Sequence, residues 1–131
     1  MSIRVKKITY APADVYAMGA APQKVLDAPA SGYVNNILGV SHDMTYATTQ
    51  YVVATELRYG NTNNNATRVF VDAVVLGSAF NCNLPAVQQT TPARVPFSTT
   101  KDFYVTTNGN AILGDSPIDA YIIYEEKLLD T

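Results

Sequence analysis

The pattern of hydrophobic and polar positions is clearest at the end of the chain. Residues Asp119 to Leu128 read Asp-Ala-Tyr-Ile-Ile-Tyr-Glu-Glu-Lys-Leu. In an extended chain successive side chains point to opposite faces. Ala120, Ile122 and Tyr124 therefore share one face, and Tyr121, Ile123 and Glu125 share the other. The first face is wholly apolar and the second is apolar until Glu125. That pattern predicts a strand in the middle of a sheet, covered on most of both faces. Gly114-Asp-Ser-Pro117 stands before it and predicts a turn. A chain that ends in such a strand predicts a sandwich closed by its C-terminal element.

The same reading runs through the rest of the chain. Ile3–Tyr10 alternates imperfectly and predicts an edge or first strand with its cations on the wet side. Pro12 ends it. Asp14–Met18 predicts one helical turn with Asp14 as N-cap, stopped by Gly19. Gln23–Ala28 predicts a short strand with Val25 inward, and Pro29–Gly32 a turn in which Gly32 takes positive φ. Tyr33–Met44 is the longest candidate strand. Strict alternation puts Tyr33, Asn35, Ile37, Gly39 and Ser41 on one face, and Val34, Asn36, Leu38, Val40 and His42 on the other. Both faces are mixed, and Gly39 points to a bulge or bend. Thr45–Gln50 reads as a polar loop. Tyr51–Tyr59 and the near-continuous apolar run Thr67–Leu76 predict a long hairpin around the Asn-rich loop Gly60–Ala66. Gly77–Pro96, with Pro85, Pro92 and Pro96, reads as irregular, and loops of that length usually work or pack against a partner. Phe103–Thr107 is a further strand, and Asn108-Gly-Asn110 a strong turn signal. Seven to eight strands without a long helix predict an all-β protein: an antiparallel β-sandwich, jelly-roll-like. Residues 1–131 read as a single β-sandwich domain with a short N-terminal arm over 1–10.

Composition narrows the function classes. The 131 residues are 47% hydrophobic and only 15% charged, against roughly 25% charged in ordinary soluble domains. Tyr, Thr, Asn, Val and Ala take the place of the missing charge. Such a surface suits a protein covered by neighbours, and suits a neutral β domain equally. The net charge is −2, and the one cationic cluster is Arg4, Lys6 and Lys7, too little for direct nucleic-acid binding. The single Cys82 allows no internal disulfide and reads as a small buried hydrophobe. No apolar run reaches the ~20 residues of a membrane helix. The N-terminal Met-Ser-Ile-Arg-Val-Lys-Lys lacks the apolar stretch of a secretion signal, so synthesis and folding in the cytosol are expected.

Candidate chemistry is sparse. His42 is the one histidine; a metal site would need further ligands, and a serine or cysteine nucleophile would have no other base. It reads as a surface residue near a strand end. Glu125 and Glu126 point to opposite faces of a strand and cannot work as a glycosidase pair; solvent or an inter-chain contact is expected for both. Asp115, Asp119 and the Asn108–Asn110 turn carry oxygens, but without the spacing of a calcium loop. Catalytic, cofactor-binding and metal-binding residues are all expected to be absent. Nine tyrosines stand beside no tryptophan. Tyr16, Tyr33, Tyr46, Tyr51 or Tyr104 would be the platform if the chain bound a glycan.

Two stretches carry a resemblance. Asp27-Ala-Pro-Ala-Ser-Gly-Tyr-Val34 is an Ala-Pro turn with a glycine leading into a long strand. Asn110-Ala-Ile-Leu-Gly-Asp-Ser-Pro-Ile-Asp-Ala-Tyr-Ile-Ile-Tyr-Glu125 is a Gly-Asp turn leading into a Tyr-Ile-Xaa-Tyr strand. The preceding segment Asp14–Leu26 fits the same layout. In these features the chain resembles small virion structural proteins of tailed bacteriophages, of the capsid decoration (auxiliary) or head-fibre type. It departs from their usual pattern at Ala30, where Gly is typical, and at Tyr33, where Lys is typical. The resemblance implies a β-sandwich that is not an enzyme. It implies a place in the virion, a homo-oligomer with a trimer favoured, and other virion proteins as partners, the major capsid protein first. Head-fibre, tail and receptor- or carbohydrate-binding roles are the alternatives. The contacts are expected in Gly77–Pro96 and Met1–Lys7.

Overall fold

The computed structural model describes residues 3–61, 69–88 and 97–129. Among these residues, ten strands and one helix stand in the order β1 (Ile3–Tyr10), α1 (Pro12–Met18), β2 (Gln23–Leu26), β3 (Tyr33–Met44), β4 (Leu57–Gly60), β5 (Phe70–Asp72), β6 (Cys82–Pro85), β7 (Val87–Gln88), β8 (Phe97–Thr99), β9 (Phe103–Thr107) and β10 (Ile118–Leu128). One sheet runs β1-β10-β3-β6, with β8 also paired to β3. The other runs β2-β9-β4-β5-β7. All pairings are antiparallel.

The topology is a rolled hairpin. β1 pairs with β10, β2 with β9, β3 with β8 and β4 with β5. Successive pairs fall alternately in the first and second sheet. The protein is thus the all-β antiparallel sandwich that the alternation predicts. Strands beyond the expected number come partly from Gly77–Pro96, read as irregular, where β6 and β7 add to opposite sheets; residues 89–96 lie outside the described residues. Pro85 ends β6, where a missing N–H is tolerated.

β10 lies between β1 and β3, as its sequence predicts. Its two faces differ more than expected. Ile118, Ala120 and Ile122 are fully buried, whereas Asp119, Tyr121 and Ile123 are half-buried on the outer face. Sandwich architecture accounts for this: each sheet has one face on the core and one outside. Residues 3–10, expected to be edge strand and arm together, are in register with β10 along their whole length. Arg4 and Lys6 stand in the same rows as Tyr124 and Ile122, on the core side, yet remain exposed because β1 is the sheet edge.

The helix is longer than one turn and starts earlier than expected. Ala11 is the N-cap and Pro12 opens the helix, where its missing N–H costs nothing. Asp14 sits in the first turn and accepts a hydrogen bond from the Ala11 N–H at 2.9 Å, so it caps from inside the helix. Val15 and Met18 are buried, and the Thr106 hydroxyl donates to the Met18 carbonyl at 2.8 Å. Gly19 is in ordinary helical conformation. Its requirement is space: a Cβ there would lie 2.5 Å from both the Gly109 carbonyl oxygen and Asn110 Oδ1. Gly32 has φ +88°, as its turn predicts.

Candidate functional site

The bulge in β3 decides where the one histidine goes. Ile123 pairs with Gly39 and Tyr124 with Ile37, so Leu38 is the extra residue. An extra residue in one strand shifts the alternation beyond it by one. Asn35 and Ile37 point into the core before the bulge, and Val40, His42 and Met44 after it. His42 is therefore not the surface residue expected near a strand end. It is 0% exposed. The glycine signal for a bulge was legible at Gly39; its consequence for His42 follows only when the alternation is carried through it.

Around His42 the fold assembles a buried polar chain. Asp72, at the end of β5, is 3% exposed, and Tyr59 on β4 and Tyr10 at the end of β1 are 0% and 1%. His42 Nδ1 lies 2.8 Å from Asp72 Oδ2. His42 Nε2 lies 2.6 Å from the Tyr59 hydroxyl, and that hydroxyl lies 2.8 Å from the hydroxyl of Tyr10. The other Asp72 oxygen accepts from the Val74 and Val75 N–H groups, each at 2.9 Å. Burial pushes the Asp72 carboxyl up, but the hydrogen bonds from His42 and from the Val75 and Val74 amides outweigh it. The group is held below the usual carboxylate value. Burial raises the Tyr10 and Tyr59 phenols far above their usual value, so both stay protonated.

The Asp72 carboxylate accepts from His42 Nδ1–H. His42 Nε2 shares a hydrogen bond with the Tyr59 hydroxyl, and the Tyr59 and Tyr10 hydroxyls share the next. Acid, imidazole and hydroxyl occur here in the order of a catalytic triad, but the hydroxyl is sealed in the core and its proton is held. What the arrangement does is tie the sheets together. His42 and Tyr10 come from one sheet, Tyr59 and Asp72 from the other. The Tyr59 ring also stacks between His42, at 5.5 Å, and Phe103, at 5.9 Å.

The other singled-out residues are dispersed. Glu125 is 9% exposed and accepts from Asn36 Nδ2 at 3.0 Å, so of the two places expected for it, solvent is the wrong one. Glu126 faces the opposite way, toward a rim cavity of about 200 Å³ shared with Arg4, Lys6, Asn35 and Asp27. Asn35 Oδ1 in that rim is buried without a partner among the described residues. Asp115 accepts from the Thr48 hydroxyl and from the Thr48 and Thr49 N–H groups, which lower its carboxyl from the usual value. Asp119 accepts from Thr9 at 2.6 Å. Asn108 Oδ1 accepts from the Thr55 and Glu56 N–H groups. These oxygens are engaged separately. No group of three His, Cys, Asp or Glu suited to a metal occurs among the described residues. Cys82 is half-buried against the core, and burial raises its thiol. Of the five tyrosines considered for a glycan platform, only Tyr16 and Tyr51 are in ring contact, and Tyr51 is 2% exposed.

Open surface lies elsewhere. On the outer face of the first sheet, Val5 stands beside Ile123 and Gly39, and Ile3 beside Glu125. Ile3 is 65% and Val5 60% exposed. On the far side, an apolar groove of about 470 Å³ is lined by Val71, Val74, Leu84, Pro85 and Val87, with Asp72 in its wall. No helix among the described residues is long and apolar enough to cross a membrane.

No family model matches the chain, and no curated protein matches it in sequence. Among solved structures, it is similar to a chain of the cyanophage Pam1 capsid asymmetric unit. The TM-score is 0.58 at 14% identity, over 94% of this chain and 82% of that one. A likeness at that identity is a likeness of fold.

Proposed function

We propose that the chain is a structural subunit of a tailed-phage virion, a capsid decoration or auxiliary protein that binds the capsid surface and itself. The observation that carries this reading is the shared fold with a cyanophage capsid chain across 94% of the residues. It agrees with the resemblance of the two turn-and-strand motifs to small virion proteins. The chemistry is consistent with it. Low charge and exposed Ile3, Val5, Phe80 and Val87 give interface area, and the one histidine is committed to the core. In this reading the protein works without catalysis, in the virion, as a trimer with the major capsid protein as partner.

The test is assembly. Sedimentation velocity over a concentration series is expected to show a homo-oligomer. Shells of the cognate capsid protein assembled without this chain are expected to bind it at saturable stoichiometry. A chain that stays monomeric at high concentration and leaves those shells bare ends the reading.

A further inference from the structure

Among the described residues, β1 is an edge strand of eight residues that pairs only with β10. About half of its backbone N–H and C=O groups therefore point away from the sheet, with no partner strand among the described residues. The side chains do not close this edge off: Ile3 and Val5 are 65% and 60% exposed on the outer face. Its charge is of one sign. Arg4, Lys6 and Lys7 lie within five residues and β1 holds no acid. Lys7 lies 3.8 Å from Asp119, while Arg4 and Lys6 form no ion pair among the described residues.

That charge pattern discriminates between occupants. A second copy would pair antiparallel about a two-fold axis. Every register centred from Val5 to Lys7 sets a cation of this strand opposite a cation of its equivalent, and like charges directly opposite destabilise a pair. An extended segment with acidic residues at alternate positions meets the same cations favourably.

We propose that the edge of β1 receives an extended acidic strand from a partner polypeptide, which joins the first sheet as its next antiparallel or parallel member. Backbone hydrogen bonds supply the attachment. Carboxylates opposite Arg4 and Lys6 select the partner, and its apolar residues cover Ile3 and Val5. This rests on the assembly reading and names the docking edge within it.

The test uses the full chain and a fluorescein-labelled octapeptide alternating glutamate and valine. Fluorescence anisotropy at low salt is expected to show saturable binding. Binding is expected to fall at least tenfold for the double variant Arg4→Glu/Lys6→Glu. It is expected to vanish for the same peptide with alternate amides N-methylated, a change that leaves the protein untouched. Equal binding of a lysine-for-glutamate peptide, retained binding of the N-methylated peptide, or no binding at all overturns the proposal. So does a dimer of the chain alone that protects β1 amides from exchange. A chain that decorates shells but ignores the peptide refutes the edge assignment alone. One that binds the peptide but no shells refutes the virion reading alone.

Discussion

The β3–β10 pair and the β4–β5 hairpin come from stretches of similar pattern, and they fold differently. Tyr33–Met44 and Asp119–Leu128 become long strands held in register over eleven pairs. Tyr51–Tyr59 and Thr67–Leu76 alternate as well, yet among the described residues of these stretches only 57–60 and 70–72 are strand. Polar side chains take the backbone groups that the ladder would use. Asn108 accepts from the Thr55 and Glu56 N–H groups, and Val53 turns to φ +77°, where a branched residue is strained. Tyr51 is buried and donates to the Ser116 carbonyl at 2.6 Å. Its ring occupies the place where a Cβ of residue 114 would be, so the turn there requires Gly114. On the other arm, Asp72 captures the amides of Val74 and Val75 and stops β5, although Val75 and Leu76 remain fully buried. Within β3 and β10 the irregularity is a bulge, which shifts the alternation without ending the strand. Apolar alternation reports burial in both regions; continuation of a strand depends on what competes for its amides.

The largest effect is expected at Asp72, where β5 stops. Asp72→Ala leaves His42 Nδ1–H, the buried Val75 amide and the part-buried Val74 amide without their acceptor, and is expected to cost about 3 kcal/mol, read as a fall in the denaturant midpoint. A loss below about 0.5 kcal/mol would mean that the carboxylate does not anchor the hairpin end. Asn108→Ala should cost less, about 1 kcal/mol, because its bonds are at the surface. Hydrogen exchange is expected to accelerate at Thr55 and Glu56 while β3 and β10 amides keep their rates. A general acceleration would contradict a local stop.

The smallest effect is the pH dependence. The Asp72 carboxyl is lowered in the fold, so its contribution is complete above its unfolded pKa, near 4, and is lost as pH falls through the lower folded value. Acid should therefore erode stability below about pH 4, and Asp72→Asn should flatten that slope. Asp115 is lowered in the same direction and remains in both proteins, so the difference between them isolates Asp72.

The sequence by itself determined the class of fold, the central place of the last strand and the glycine at which the longest strand bends. Those follow from alternation and turn chemistry, which are local. It also showed the cationic, apolar first strand that carries the docking proposal. The tertiary structure alone decided that His42 faces inward, that Asp72 and Tyr59 meet it from the opposite sheet, and that Glu125 is covered. One bulge residue inverts every side chain beyond it, and partners thirty residues apart in the chain become neighbours only once both sheets are closed.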